Sequence, residues 1–172
     1  MLIETQRLIL RKWQDSDLID FACINSSSKV CQFLPKILSH EESDLLALKI
    51  KKHFEEYGFG LFAAELKENG KFIGFIGLNK VDFALAFSDP KKPAIEISWR
   101  LDENCWNQGL ATEGAKAVLD FAFNKLKLTE IISFTFHKNM SSRKVMEKIG
   151  MKYDKNGDFS HPKLGIIKKM GG

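Results

Sequence analysis

Residues 94–112 read Ala94-Ile95-Glu96-Ile97-Ser98-Trp99-Arg100-Leu101-Asp102-Glu103-Asn104-Cys105-Trp106-Asn107-Gln108-Gly109-Leu110-Ala111-Thr112, and this stretch decides the fold. Its first half alternates strictly. Ile95, Ile97, Trp99 and Leu101 share one face and Glu96, Ser98 and Arg100 the other, which is the period of a β-strand. After Asp102-Glu103-Asn104 the period lengthens, with Ala111, Ala115, Val118, Leu119 and Ala122 spaced as on one face of a helix. Between strand and helix lies Trp106-Asn107-Gln108-Gly109-Leu110-Ala111-Thr112. A glycine at such a turn lets the backbone approach a ligand closely, and the free N–H groups of the first helical turn form an anion site that suits a pyrophosphate. The other reading of Gly109 and Ala111 is that small residues let the helix pack tightly on the sheet.

Downstream, Ile131 to Phe136 reads as a buried strand, Ser141 to Ile149 as a helix that Gly150 ends, and Met151-Lys152-Tyr153 as the start of another strand. Upstream, Phe59 to Leu66 and Lys71 to Leu78 form an antiparallel pair around Asn69-Gly70, a two-residue hairpin signal. Asn79 to Pro93 is expected to be a loop. Ser39-His40-Glu41-Glu42 is a capping box that opens a helix, with Leu46, Ile50 and Phe54 at steps of four, Leu45, Leu48 and Tyr57 widening the stripe, and Gly58 as its stop. Asp15 or Ser16 caps an earlier helix running to about Ile24, and Leu8-Ile9-Leu10-Arg11 supplies an apolar run before it. The order is β-α-α-β-β-β-α-β-α-β.

With 172 residues, the chain is read as a single domain spanning 1–172, large enough to bury roughly 70% of its unfolded surface. Its 44% apolar and 28% charged residues exclude disorder. Without a long charge-free stretch or a basic start followed by an apolar run, the sequence is expected to be cytoplasmic and not in a membrane. Cys23, Cys31 and Cys105 form no Cys-x-x-Cys pair, and His40, His53, His137 and His161 share no ligand spacing, so no metal site is expected. A net charge of +4 is too weak and dispersed for nucleic acid but favours an anionic small ligand.

Three segments in order raise the argument above any one turn. They are Glu4-Thr5-Gln6-Arg7-Leu8-Ile9-Leu10-Arg11, the Trp-x-x-Gly-x-Ala-Thr-Glu turn at 106 to 113, and Asn139-Met140-Ser141-Ser142-Arg143-Lys144-Val145-Met146-Glu147-Lys148-Ile149-Gly150-Met151. Together they resemble the GNAT superfamily of acetyl-CoA-dependent N-acetyltransferases, in the branch typified by the ribosomal-protein N-terminal acetyltransferases. The resemblance implies an α/β fold: a mixed, mostly antiparallel central sheet flanked by helices. It also implies acetyl-CoA as co-substrate and an amine acceptor, either a protein N-terminus or a small molecule. Gln108, Gly109, Leu110, Ala111 and Thr112 would bind the coenzyme A pyrophosphate. Trp99, Arg100 and Leu101 would pair with the pantetheine arm, and Asn139 and Ser142 would lie near its thioester end.

Where many relatives carry an Arg or Gln three residues before the glycine, this chain has Trp106. Where many carry a tyrosine thought to protonate the leaving thiolate, it has Met146. Ser142 stands as the group that would stabilise the thiolate, or as an ordinary helix-start residue. Glu96 is the candidate base, or an ion-pair partner of Arg100 on the same strand face. At pH 7 an α-amine of pKa ~7.8 is already ~10–15% neutral and would need only a water relay. His137 reads as a satisfied strand-end histidine and Cys105 as packing. Phe54, Tyr57, Phe59 and Phe62 read as core, with the corner near Tyr57 and Phe59 bordering the acceptor side. The relatives' final strand is expected to be missing or vestigial, with Ile166-Ile167 its remnant. That would leave an edge for a partner chain, as in a homodimer, or an open acceptor pocket. A degenerate acyl-CoA-binding module without turnover is the alternative to an enzyme.

Overall fold

The computed structural model describes residues 1–82, 91–154 and 164–170. At its centre lie three neighbouring strands, β3 (Leu61–Leu66), β4 (Phe72–Lys80) and β5 (Ile95–Leu101). Both faces of β3 and β4 are buried. Phe62, Ala64, Ile73, Ile76 and Leu78 enter one core, whereas Leu61, Ala63, Phe72 and Phe75 enter a second on the other side. A sheet covered on both faces needs apolar residues at successive positions, which is why these strands read as continuous apolar runs while β5 alternates.

β1 (Ile3–Glu4) and β2 (Leu8–Arg11) extend this group on one side. On the other come β6 (Glu130–Phe136), β7 (Lys152–Asp154) and β8 (Leu164–Met170). The strand order is β1-β2-β3-β4-β5-β6-β8-β7, and every neighbouring pair is antiparallel except β5 with β6. This is the expected mixed, mostly antiparallel sheet.

Helices α3 (Leu110–Asp120) and α4 (Met140–Lys148) cover the first face, where Leu110, Ala115, Val118, Leu119 and Met146 join Ile97 and Leu101. Helices α1 (Asp17–Ser26) and α2 (His40–Tyr57) cover the second, through Phe21, Ile24, Ala47 and Ile50. The capping box at Ser39 and Glu42 is formed, with both reciprocal hydrogen bonds at 3.1 Å, and Gly58 closes α2 at φ 73°. Ser16 precedes α1 without a side-chain cap. Instead Asp17 accepts from the Gln14 N–H at 2.8 Å and receives both outer guanidinium nitrogens of Arg11, which also bonds Glu65 at 2.6 Å.

Three details differ from the sequence reading. Leu45 and Leu48 of α2 point outward, and the small residues Ser43 and Ala47 occupy the buried stripe. Asn69-Gly70 is the end of a longer connection: only Gly70 has positive φ, and Leu66 donates its N–H across to Lys71 O at 2.9 Å. β4 runs to Lys80, so the expected loop starts later, and its residues 83–90 lie outside the described residues, as do 155–163. The final strand is weak, as expected. β8 surrounds the expected remnant Ile166-Ile167 and pairs with β6 over seven positions, from Glu130↔Met170 to Phe136↔Leu164. On its other side β8 pairs with β7 over three positions.

Candidate functional site

The turn between β5 and α3 is built to leave donors free. Gly109 holds the N-cap position at φ 76°, where no side chain can cap, and the first intrahelical bond runs from Glu113 N to Gly109 O at 3.0 Å. The N–H groups that precede it therefore have no intrahelical acceptor. Residues 106–109 are exposed, so an anion can reach them, and the helix dipole favours its charge. Asn107 is also left-handed, at φ 59°, which turns the chain twice within three residues.

This turn is held from behind. Trp106 Nε1 donates to Leu101 O at 2.9 Å, and Gln108 Nε2 to Asn104 O at 3.0 Å. Arg7, from the β1–β2 connection, donates Nη1 to Gln108 O at 2.8 Å and Nε to Glu113 Oε2 at 2.7 Å. Glu113 Oε1 accepts from Thr5 Oγ1 at 2.6 Å and from Arg7 N at 2.7 Å. Burial opposes the charged form of Glu113, but these hydrogen bonds outweigh it and hold the carboxyl below its usual range.

β5 itself has one paired edge and one parted edge. It pairs with β4 along its whole length, yet with β6 only at Glu96↔Ile132. At the fork Ser133 Oγ, buried, donates to Ile97 O at 2.9 Å in place of a backbone ladder bond. Beyond it Ser98 to Leu101 have no register partner on β6, so an extended ligand carrying amide groups can pair there as a strand would.

Glu96 sits at the other end of that edge, between Asn79 of β4 and Ile132 of β6. A small apolar cluster of Val81, Ala94, Ile132 and Phe134 surrounds this end of the sheet. Burial pushes the Glu96 carboxyl up to about 8. A carboxyl in that range can exchange a proton with an amine near neutral pH.

The alternative role of Glu96 as ion-pair partner of Arg100 is excluded by distance along the strand. Four residues span ~13 Å at ~3.3 Å each. Arg100 instead donates Nη1 to Asn25 Oδ1 at 2.8 Å and lies over the Phe75 ring at 5.3 Å. Burial lowers its pKa from the usual guanidinium value. Asn25, fully buried, also donates to Ser43 Oγ at 2.9 Å, so it links α1, α2 and β5.

Trp99 and Leu101 turn their side chains to the α3 face and Arg100 to the α1–α2 face, while their backbone lines the parted edge. Asn139 spends its side chain on capping α4, accepting from Ser142 N at 3.2 Å, and Ser142 lies half-buried in that first turn. Met146 is buried in the main core, and Cys105 packs there too, burial pushing its thiol up. His137 contributes its backbone carbonyl to Arg143.

The sequence reading missed His53. Its Nδ1 meets Phe59 O at 2.8 Å and its Nε2 accepts from Lys80 N at 3.1 Å, tying α2 to the end of β4. The Tyr57 ring packs tilted against it and the Phe59 ring edge-on, and Lys80 Nζ bonds the Tyr57 hydroxyl at 3.1 Å. Lys80 follows Asn79, the cross-strand neighbour of Glu96. A helix histidine that bonds two main-chain groups leaves no spacing signal. Among the described residues no helix is long and apolar enough to cross a membrane, and no three metal-ligating side chains cluster.

Residues 7–152 match the profile of the acetyltransferase (GNAT) domain. The uncharacterized N-acetyltransferase YnaD of Bacillus subtilis is 29% identical over 153 residues, covering 88% of this chain and 83% of that protein. The crystal structure of an acetyltransferase from Agrobacterium tumefaciens superposes with a TM-score of 0.83 at 25% identity, covering 98% of this chain and 94% of the other. A ribosomal L7/L12 α-N-protein acetyltransferase in complex with coenzyme A superposes at 0.77 and 15% identity, over 99% and 98% of the two chains.

Proposed function

The chain belongs to the GNAT acetyltransferase family, a family of acyltransferases that use acetyl-CoA, and from that premise we propose that it moves the acetyl group directly onto a primary amine. The observation that carries this reading is the parted β5 edge leading into an uncapped, left-handed turn at Gly109. The residues fit the co-substrate. Gln108 to Thr112 supply N–H groups for its pyrophosphate, and the backbone of Trp99 to Leu101 supplies a strand edge for its pantetheine amides. Acetyl-CoA supplies an activated acyl group on a thiol leaving group.

Glu96 takes the proton that the amine loses as its nitrogen bonds the acetyl carbon and the carbon–sulfur bond breaks. A carboxylate held near 8 is well matched to an α-amine of pKa ~7.8, so this transfer is almost free of cost. Ser142 offers its hydroxyl to the departing thiolate, with Asn139 fixing the helix turn that carries it. A thiol of pKa ~8.5 needs no stronger acid. The acceptor is a protein N-terminus, as for the ribosomal L7/L12 α-N-protein acetyltransferase of similar fold, or a small-molecule amine. The alternative, a binding module without turnover, rests on a vestigial last strand and on Met146 in place of the tyrosine, and an acetylation assay of the purified chain separates it from the enzyme.

Calorimetric titration with acetyl-CoA, dephospho-CoA and adenosine diphosphate tests the cofactor site. Micromolar binding that requires the pyrophosphate is expected. Gly109→Glu should abolish it, and Gly109→Ala, which carries the same left-handed strain without the charge, should retain it. Equal binding by the two variants would sink the assignment of this turn.

A further inference from the structure

The first and second sequence signatures, distant in the chain, meet at one set of hydrogen bonds. Thr5 and Arg7 hold Glu113 in the first turn of α3, and Arg7 alone also reaches the Gln108 carbonyl. The consequence follows from the planarity of a trans peptide, in which the carbonyl oxygen and the next N–H point to opposite sides. No cis bond is present among the described residues. With Gln108 O held by Arg7, the N–H of Gly109 is aimed away from Arg7.

We infer that Arg7 is a positioning residue for the anion-binding turn. It fixes the 108–109 peptide so that the Gly109 N–H faces the bound diphosphate, and it cancels the Glu113 carboxylate that would otherwise repel that diphosphate from the helix N-terminus. This rests on the cofactor reading above. Two features separate it from a purely structural tie. Arg7 is 44% exposed on its side chain, so the pair anchors little buried surface. And of the two residues that bond Glu113 or the turn from the β1–β2 connection, Thr5 and Arg7, only Arg7 touches a carbonyl of the turn itself. The Arg7 Nη2 also lies 3.5 Å from where a side chain on Gly109 would begin, so the guanidinium backs the glycine directly.

The role needs a fork. Nε and Nη1 bond different partners, the carboxylate and the carbonyl, and a lysine ammonium is a single point that cannot hold both. Arg7→Lys therefore keeps a cation on Glu113 but frees the peptide, and its conservative nature keeps the fold.

The test compares coenzyme A with pantetheine, which lacks the diphosphate, by calorimetry on the wild type, Arg7→Lys and Arg7→Ala. In parallel, the Gly109 amide resonance is followed as inorganic pyrophosphate is added. Arg7→Lys should weaken coenzyme A by about tenfold, as for loss of one charge-assisted hydrogen bond, and change pantetheine by less than about twofold. The Gly109 amide should shift with pyrophosphate in the wild type and lose most of that response in Arg7→Lys. Arg7→Ala, if folded, should lose at least as much. Equal loss for both ligands would reduce Arg7 to a structural tie, and unchanged coenzyme A affinity in Arg7→Lys would overturn the proposal. A wild type that binds coenzyme A no better than pantetheine would instead overturn the cofactor reading beneath it.

Discussion

At the scale of single residues, Glu96 carries opposed demands. A carboxyl raised from its usual 4.5 to about 8 is neutral in the folded protein over a pH range in which the unfolded chain is ionised. Its penalty to stability is absent below 4.5, grows with pH through that window and is complete above about 8, at ~1.4 kcal/mol for each tenfold change in proton affinity. Glu96→Gln should accordingly raise the melting temperature at pH 8.5 and leave it nearly unchanged at pH 4. The same substitution should lower kcat/KM by roughly 100-fold and remove the rise in rate with pH that has its midpoint near 8, because activity needs the ionised form. A pH–rate profile of both proteins, with any acceptor that turns over, checks the second point, and thermal melts at two pH values the first. That Glu96 shares a strand face with Ser98 and Arg100 was legible from the alternation of 95–101. Its raised affinity for protons was not, since it comes from burial, which the packing of distant segments decides.

At the scale of elements, two glycines with different surroundings separate backbone strain from crowding. Gly58 closes α2 in the left-handed region with open space where a side chain would go, so Gly58→Ala should cost only ~1 kcal/mol. Gly77 of β4 would place a Cβ 2.2 Å from Gly60 O and 2.7 Å from Leu61 Cα, all main-chain atoms of the neighbouring strand region. Gly77→Ala should cost well over ~3 kcal/mol or prevent folding, as urea or thermal unfolding of the pair would read. The capping box, the glycine stop and the β5 period could be read because each is set within a few neighbouring residues. The outward turn of Leu45 and Leu48 could not. Asn25 needs Ser43 at the sheet side of α2, and that choice of face is made by a residue 18 positions away. The three signatures were visible as strings, but the reason that Thr5 and Arg7 accompany Glu113 lies in their contact across more than 100 residues.

At the scale of the whole molecule, the sheet is not laid down in the order of the sequence. β8 lies between β6 and β7, and its seven register pairs with β6 are what cover that strand's edge. A chain ending at Asp154 would expose that edge of β6, so it should aggregate or associate under conditions where the full chain stays monodisperse, as light scattering would show. Where this weak strand inserts was the least legible feature of the fold. Gly165 and Lys168-Lys169 carry no alternating signal. The insertion also has a consequence for how the protein is made. On a ribosome β7 emerges first and finds no neighbour in the sheet, since its ladder is formed only with the strand synthesised after it. The half from β1 to β5 can assemble while translation continues. β6 can then add to β5, but its far edge and β7 stay unpaired until β8 has been made.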